Sequence, residues 1–237
     1  MDANRRTAVL TGTFYIIGTV CGGIGLGVVL GPLRSAPDYL KAYGTMETRV
    51  LIASLLYLMM SVSLVAMAAA VFPVLRKFSR SAAIAYVCAR VLEAMVTMLC
   101  VISMQALVEL GTQYVESGAA DAARFQTLGA LLLGVPEWAG HAVLDVAVFP
   151  VGAVVLYWVL FRTRLVPRWL SGWGLISAVL YWAAGVLVMF HVIRPLETAH
   201  IMLQAPLGLQ EMVLAIWLIA RGFSASVIAS VACDEKG

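Results

Sequence analysis

Long apolar runs separated by short polar breaks organise this chain. Six runs reach the length of about 20 residues that a helix needs to cross a bilayer core. They are residues 7–30, 48–72, 81–110, 136–161, 170–193 and 201–223. Helix breakers fall between them: Gly31-Pro32 after the first, Pro73 after the second, Pro167 before the fifth and Pro195 after it, while Gly111 and Gly118 bracket the third loop. A further apolar stretch, 125–134, is too short to span, and Pro136 cuts it from the fourth run, which predicts an interfacial or re-entrant piece. The pattern predicts an all-α integral membrane protein: one six-transmembrane-helix bundle over residues 1–223 and a short cytoplasmic tail at 224–237. The first run is too long for the core of a signal peptide. Ala36 is followed by Pro37 and has Arg34, not a small residue, two positions before it, so the run reads as a retained helix.

Composition agrees. The chain is 62% hydrophobic and 12% charged, with a mean hydropathy of +0.94, whereas a soluble domain carries about a quarter charged residues. Its solvent is lipid. The net charge of +3 is no nucleic-acid signature, so nucleic acid is not an expected partner. Lys and Arg instead report topology. Ten (Arg5, Arg6, Arg76, Lys77, Arg80, Arg162, Arg164, Arg168, Arg221, Lys236) fall on the side of the N-terminus and five (Arg34, Lys41, Arg49, Arg124, Arg194) on the other. That bias predicts both termini inside, in the inner (plasma) membrane. Cys21, Cys88, Cys100 and Cys233 lack disulfide or zinc-type spacing. The run from Cys21 to Gly27 lacks the strand and the lysine of a nucleotide loop. Its glycines, with Gly18 and Gly31, have small-xxx-small spacing, which suits close helix packing within the chain or a homodimer through the Gly-rich first helix.

The informative residues are the ionisable ones inside these runs. A charge at the bilayer centre costs at least about 3 kcal/mol, so such residues face a bundle interior and mark sites. In span three, Arg90, Glu93 and Thr97 share one helical face. In span four, Glu137, His141 and Asp145 follow at four-residue spacing, and Pro150 just beyond suggests a kink. In span six, His200, Gln204 and Glu211 share a face, and span five adds Ser177, Tyr181 and His191. Thr11 with Tyr15 in span one, and Ser54, Tyr57 and Ser61 in span two, read as structural hydroxyls. Helix rise places Glu93, Asp145 and Glu211 near one depth. If spans three, four and six are neighbours, three carboxylates meet one guanidinium and one imidazole. This predicts a protonated carboxyl, a bound cation or a balancing His141. His141, His191 and His200 with Glu137 and Glu197 offer zinc-type ligands. No HxxxH or HExxH pair joins them, however, so neither a metal nor a cofactor is expected.

Several short motifs recur in order: Arg6-Thr7-Ala8 with Gly12 and Tyr15, Arg90-Val91-Leu92-Glu93-Ala94, Pro167-Arg168-Trp169-Leu170 with Gly174, and the segment from Glu211 to Ile219 with Gly222-Phe223. Together they resemble the bacterial membrane-protein family known as domain of unknown function 4386, from about Arg6 to Phe223. The resemblance implies a six-helix membrane protein and carries no established activity. Arg90, Glu93 and Glu211 fall on its motif positions.

The expected function is an intramembrane pocket for a small lipophilic molecule. There Glu93, Asp145, Glu211 and His141 would do acid–base work, while Arg90, Glu137, Gln204 and Tyr181 contact the ligand. Such a site fits an isomerase, cyclase or hydrolase. The same residues fit a proton- or cation-coupled transporter, or a non-catalytic sensor or assembly protein in which Arg90–Glu93 is structural. A lateral, lipid-facing mouth separates the first class from the others.

Overall fold

A computed structural model describes residues 3–34, 36–118 and 121–234. Lys236 lies outside the described residues, as do the side chains of Arg34 and Cys233. Six helices are long and apolar enough to cross a membrane: Asn4–Leu33, Glu47–Leu75, Arg80–Glu116, Ala122–Thr163, Arg168–Met189 and Thr198–Ala220, called spans one to six below. Each packs on its sequence neighbours, and span one closes against span six, so the bundle is a ring. Side chains such as Leu55, Val62, Ile102, Ile176 and Ile216 point outward and exposed. In water they would form an adhesive patch; around a membrane ring they are the lipid-facing surface.

Span four departs from the sequence expectation. Residues 125–134 are not a separate piece, because the helix runs unbroken from Ala122 through Pro136 to Thr163. Proline strips its own N–H and pushes away the carbonyl four residues back, here that of Leu132. Ser103 of span three donates a hydrogen bond of 2.6 Å to that carbonyl. With the freed acceptor satisfied by a neighbouring span, the helix survives its proline. At 1.5 Å per residue the 42-residue span is about 63 Å long, roughly twice the hydrocarbon thickness. It is longer than a bilayer core requires, and its first part packs alongside the end of span three.

A second apolar core forms around that first part, on the face away from the termini. Leu33, Leu40, Tyr43, Val50, Met104 and Leu107 are buried there, with Phe125 and Leu132 packed against them. The short helix Tyr39–Thr45, capped by the Asp38 carboxylate accepting from Lys41 N–H, lies across span three. Gly44 and Gly111 make this crossing possible: a Cβ on Gly111 would sit 2.4 Å from the Leu40 carbonyl oxygen. On the terminal face, Arg5 donates to the carbonyls of Leu218 and Ile219, capping span six. A last helix, Ala225–Asp234, buries Ile228 against the main core.

Two segments wind as π-helix, Ile24–Leu30 in span one and Ala139–Val148 in span four. The second lies between Pro136 and Pro150. The distortion thus precedes Pro150, because its ring crowds the carbonyl of Val146 and the turn before it must widen. Span five ends at Met189, four residues earlier than its hydropathy suggests. His191 sits in the following turn with a left-handed backbone (φ 57°) and stacks edge-on against Trp138.

Candidate functional site

The ring encloses two groups of polar side chains. In the first, the Arg90 guanidinium, 1% exposed, donates through Nη1 to Glu93 Oε2 at 2.6 Å, one turn along the same helix. The rings of Tyr86 and Phe149 flank it, 5.3 and 5.1 Å from Cζ. Its Nη2 lies 4.0 Å from Glu211 Oε1 of span six, an electrostatic contact longer than a hydrogen bond. Spans three and six share no extended packing, so Arg90 and Glu211 meet across the ring's interior rather than between adjacent helices. Tyr15 of span one donates to Glu211 Oε1 at 3.1 Å. Arg90 Nε and Nη2 are buried without a hydrogen-bond partner.

The second group surrounds Asp145, 2% exposed, on the π-helical turn of span four. Tyr181 donates to Oδ1 at 2.9 Å and Gln204 to Oδ2 at 2.8 Å. His141 Nδ1 lies 3.6 Å and His200 Nε2 3.7 Å from Oδ2. Span five comes this close only because Gly185 has no side chain: a Cβ there would fall 2.7 Å from the Asp145 Cβ. Wide turns and a glycine thus bring two hydrogen-bond donors, Tyr181 and Gln204, and two imidazoles at electrostatic range around one carboxylate.

His141, Asp145 and His200 offer ligand atoms within 4.8 Å of one another, a trio of metal-ligand types. Hydrogen bonding at His200 does not suit a metal. The backbone N–H of Leu196 donates to His200 Nδ1 at 3.2 Å, which assigns the imidazole proton to Nε2. Nε2 then points a proton, not a lone pair, towards Asp145. A metal-bound histidine has the reverse arrangement, with its far nitrogen donating outward. In this arrangement His200 Nε2 faces the Asp145 carboxylate across 3.7 Å, without a hydrogen bond.

Two cavities adjoin these groups. One, of about 430 Å³, is lined by Arg90, Glu93, Glu211 and Tyr15 and by Gly18, Gly22, Gly23 and Gly208 of spans one and six. The other, of about 230 Å³, is lined by His141 and Asp145. Met60, Leu144, Tyr181 and Gln204 border both. Between spans one and six the first cavity reaches the exposed Thr19, Gly23, Ile201 and Ala205, with Ile201 in the first turn of span six. A Cβ added to Gly23 or Gly208 would meet nothing within 4 Å, so these glycines leave an opening. Gly22 and Gly25, by contrast, are used up in packing on Met60 and Tyr57 of span two.

Of the residues singled out from sequence, Arg90, Glu93 and Glu211 come together, and His141, Asp145, Tyr181 and Gln204 form the adjoining group. Glu137 lies on the α-helical part of span four, exposed, and borders neither cavity. The π-helix begins just after it and breaks the phase that four-residue spacing implied. Thr11 and Ser61 bond carbonyls one turn back, as structural hydroxyls do. Tyr15 does not: its longer side chain reaches Glu211, and its place beside Gly12 in the motif was the available signal. His200 adds a second imidazole, foreshadowed by its spacing from Gln204.

Fold and site together define a multi-pass membrane protein with a buried cluster of acidic groups, histidines and an arginine around an internal chamber. The chain belongs to the family described as Domain of unknown function (DUF4386), which matches residues 10–222. No curated protein and no solved structure matches it.

Proposed function

We propose that the chamber admits a small, neutral, lipophilic molecule sideways from the bilayer, between spans one and six, and carries out acid–base chemistry on it. One observation carries this reading: Arg90, which lines a mostly apolar cavity, has two buried N–H-bearing nitrogens, Nε and Nη2, with no hydrogen-bond partner among the described residues. Buried donors without acceptors are costly, and a ligand oxygen would satisfy them. Charge selects the type of oxygen. Arg90 already faces Glu93 and Glu211, so an anionic head would set three negative groups against one guanidinium in low dielectric. A carbonyl or hydroxyl head on an apolar body suits the site, and about 430 Å³ lies in the size range of small-molecule pockets.

The simplest chemistry is a proton shift beside a carbonyl. Arg90 holds the carbonyl oxygen, and the Glu211 carboxylate, steadied by Tyr15, removes a proton from the adjacent carbon. The C–H electrons move into the C–C bond and the carbonyl electrons onto oxygen, where the guanidinium stabilises them. In a β,γ-unsaturated carbonyl the resulting dienolate takes the same proton back from Glu211 at the γ carbon, which shifts the double bond and restores the carboxylate, while Asp145 and its histidines form a second proton-handling group beside the chamber. Glu93 positions Arg90. The bias of Lys and Arg towards the side of the termini supports a plasma-membrane orientation with both termini cytoplasmic.

The test is proton exchange. The full chain in lipid nanodiscs, incubated in D₂O with a long-chain methyl ketone, should speed deuterium incorporation beside the carbonyl, read by mass spectrometry. Glu211→Gln, and Gly208→Phe placed in the mouth, should remove the acceleration while the helical melting profile persists. Exchange equal in wild type and both folded variants would overturn the proposal.

A further inference from the structure

The terminal face carries a second concave site unrelated to the chamber. The loop joining spans four and five meets the end of span six and the turn into the last helix, tied by the Ser224 N–H donating to the Leu165 carbonyl at 2.9 Å. Between them lies a groove of about 800 Å³. Its floor is apolar, with Leu165, Val166 and Phe223 buried and Trp217 along one wall. Its polar groups include the guanidiniums of Arg164, Arg168 and Arg221, and no Asp or Glu lines it. None of the three forms an ion pair with a carboxylate among the described residues. Arg168 rests on the face of Phe161, 5.2 Å from the ring centroid, which holds its position while leaving its N–H groups available. Two helices, Arg168–Met189 and Ala225–Asp234, also begin at the groove and direct their N-terminal dipoles into it.

The depth of the groove identifies the occupant. Trp158, Trp169 and Trp217 all lie within a turn or two of the terminal ends of their spans, and Trp158 and Trp169 are more than half exposed. Exposed tryptophans at span ends mark the headgroup level of a bilayer. Three arginines at that level without an ion-pair partner among the described residues, above an apolar floor, match a phosphate with acyl chains attached better than a soluble anion. We infer that this groove binds the headgroup of an anionic phospholipid, with the phosphate held by Arg164, Arg168 and Arg221 and the glycerol end against Trp217 and Phe223.

Native mass spectrometry of the full chain, released from micelles with defined lipid, tests the assignment. Phosphatidylglycerol should remain bound where phosphatidylcholine is lost. Each of Arg164→Gln, Arg168→Gln and Arg221→Gln should weaken retention about fivefold, as expected for one basic contact with an anionic headgroup. The combined groove variant Arg164→Gln/Arg168→Gln/Arg221→Gln is compared with the control Arg76→Gln/Lys77→Gln/Arg80→Gln, which also removes three charges, from another exposed loop of the same face. The control should change retention less than twofold. Equal losses from the groove and the control loop would mean diffuse surface attraction and overturn the site. So would equal retention of phosphatidylcholine, or displacement of the lipid by inorganic phosphate at comparable concentration. Melting by circular dichroism checks folding of each variant, and the single changes suffice if a combined one does not fold.

Discussion

Arg90 has two carboxylates within reach, and their sharing of it can be measured as non-additivity. Replacing Glu93 by Gln removes a buried, charge-assisted hydrogen bond of 2.6 Å. Such bonds contribute about 1.5–3 kcal/mol, and the general cost of stranding a buried charge is about 3–5 kcal/mol. The full penalty should not appear, because Glu211 remains 4.0 Å away. At that distance and an effective dielectric of about 20, two unit charges attract by about 4 kcal/mol. We expect Glu93→Gln to cost about 2 kcal/mol. Glu211→Gln, which loses a longer contact and weakens the Tyr15 bond, should cost about 1 kcal/mol. The double variant leaves the guanidinium with no counter-charge and should cost about 5 kcal/mol. The coupling is therefore about 2 kcal/mol, well above the additivity error of independent sites. Reversible unfolding in mixed micelles, titrated with denaturing detergent and followed by far-UV circular dichroism, yields all four corners of the cycle. If the two single costs add to the double cost within about 0.5 kcal/mol, the carboxylates do not share Arg90 and the electrostatic account of the cluster is wrong.

Other consequences can be checked in the same assay. Ser103→Ala deprives the Leu132 carbonyl of its donor and should destabilise by about 1 kcal/mol, with faster hydrogen exchange around Pro136. Gly111→Ala drives a methyl into the backbone of the short helix and should cost about 1–3 kcal/mol; a neutral result would contradict the Gly44–Gly111 crossing. Selective ¹⁵N labelling should find the His200 proton on Nε2, and zinc should leave the melting temperature unchanged; a zinc-dependent rise of several degrees would overturn the tautomer assignment.

The six spans were legible because crossing a bilayer imposes length and hydropathy on each segment separately, with no reference to tertiary structure. The buried charges were legible for a related reason: lipid makes each one expensive, so none is there by chance. The continuity of span four was not, because it depends on Ser103, which reaches the proline-freed carbonyl from a helix 29 residues away in sequence. The division of the ionisable residues into two groups was equally hidden. Helical phase puts side chains on a face, but which faces meet across a ring depends on how the ring closes. Tyr15 was misread for that reason, since its partner Glu211 is 196 residues distant. Glu137 was misplaced because regular periodicity was carried through a segment whose turns are wider than α.

The π-helical segment connects the fold to the chemistry. Its position is set by Pro136 and Pro150, which weaken the regular ladder on either side, and Gly185 supplies the space that a wider turn needs. A straight α-helix here would rotate Asp145 relative to Tyr181 and Gln204, which donate to its carboxylate from two other spans, and to His200, 3.7 Å away. The irregular backbone is therefore what brings Asp145 to its partners, and those partners anchor spans five and six against span four. Span six in turn carries Glu211 to Arg90 and forms one side of the mouth. The opening to lipid, the guanidinium cluster and the Asp145 group thus depend on the seating of one helix. A molecule entering between spans one and six would press on the element that aligns both sets of polar groups.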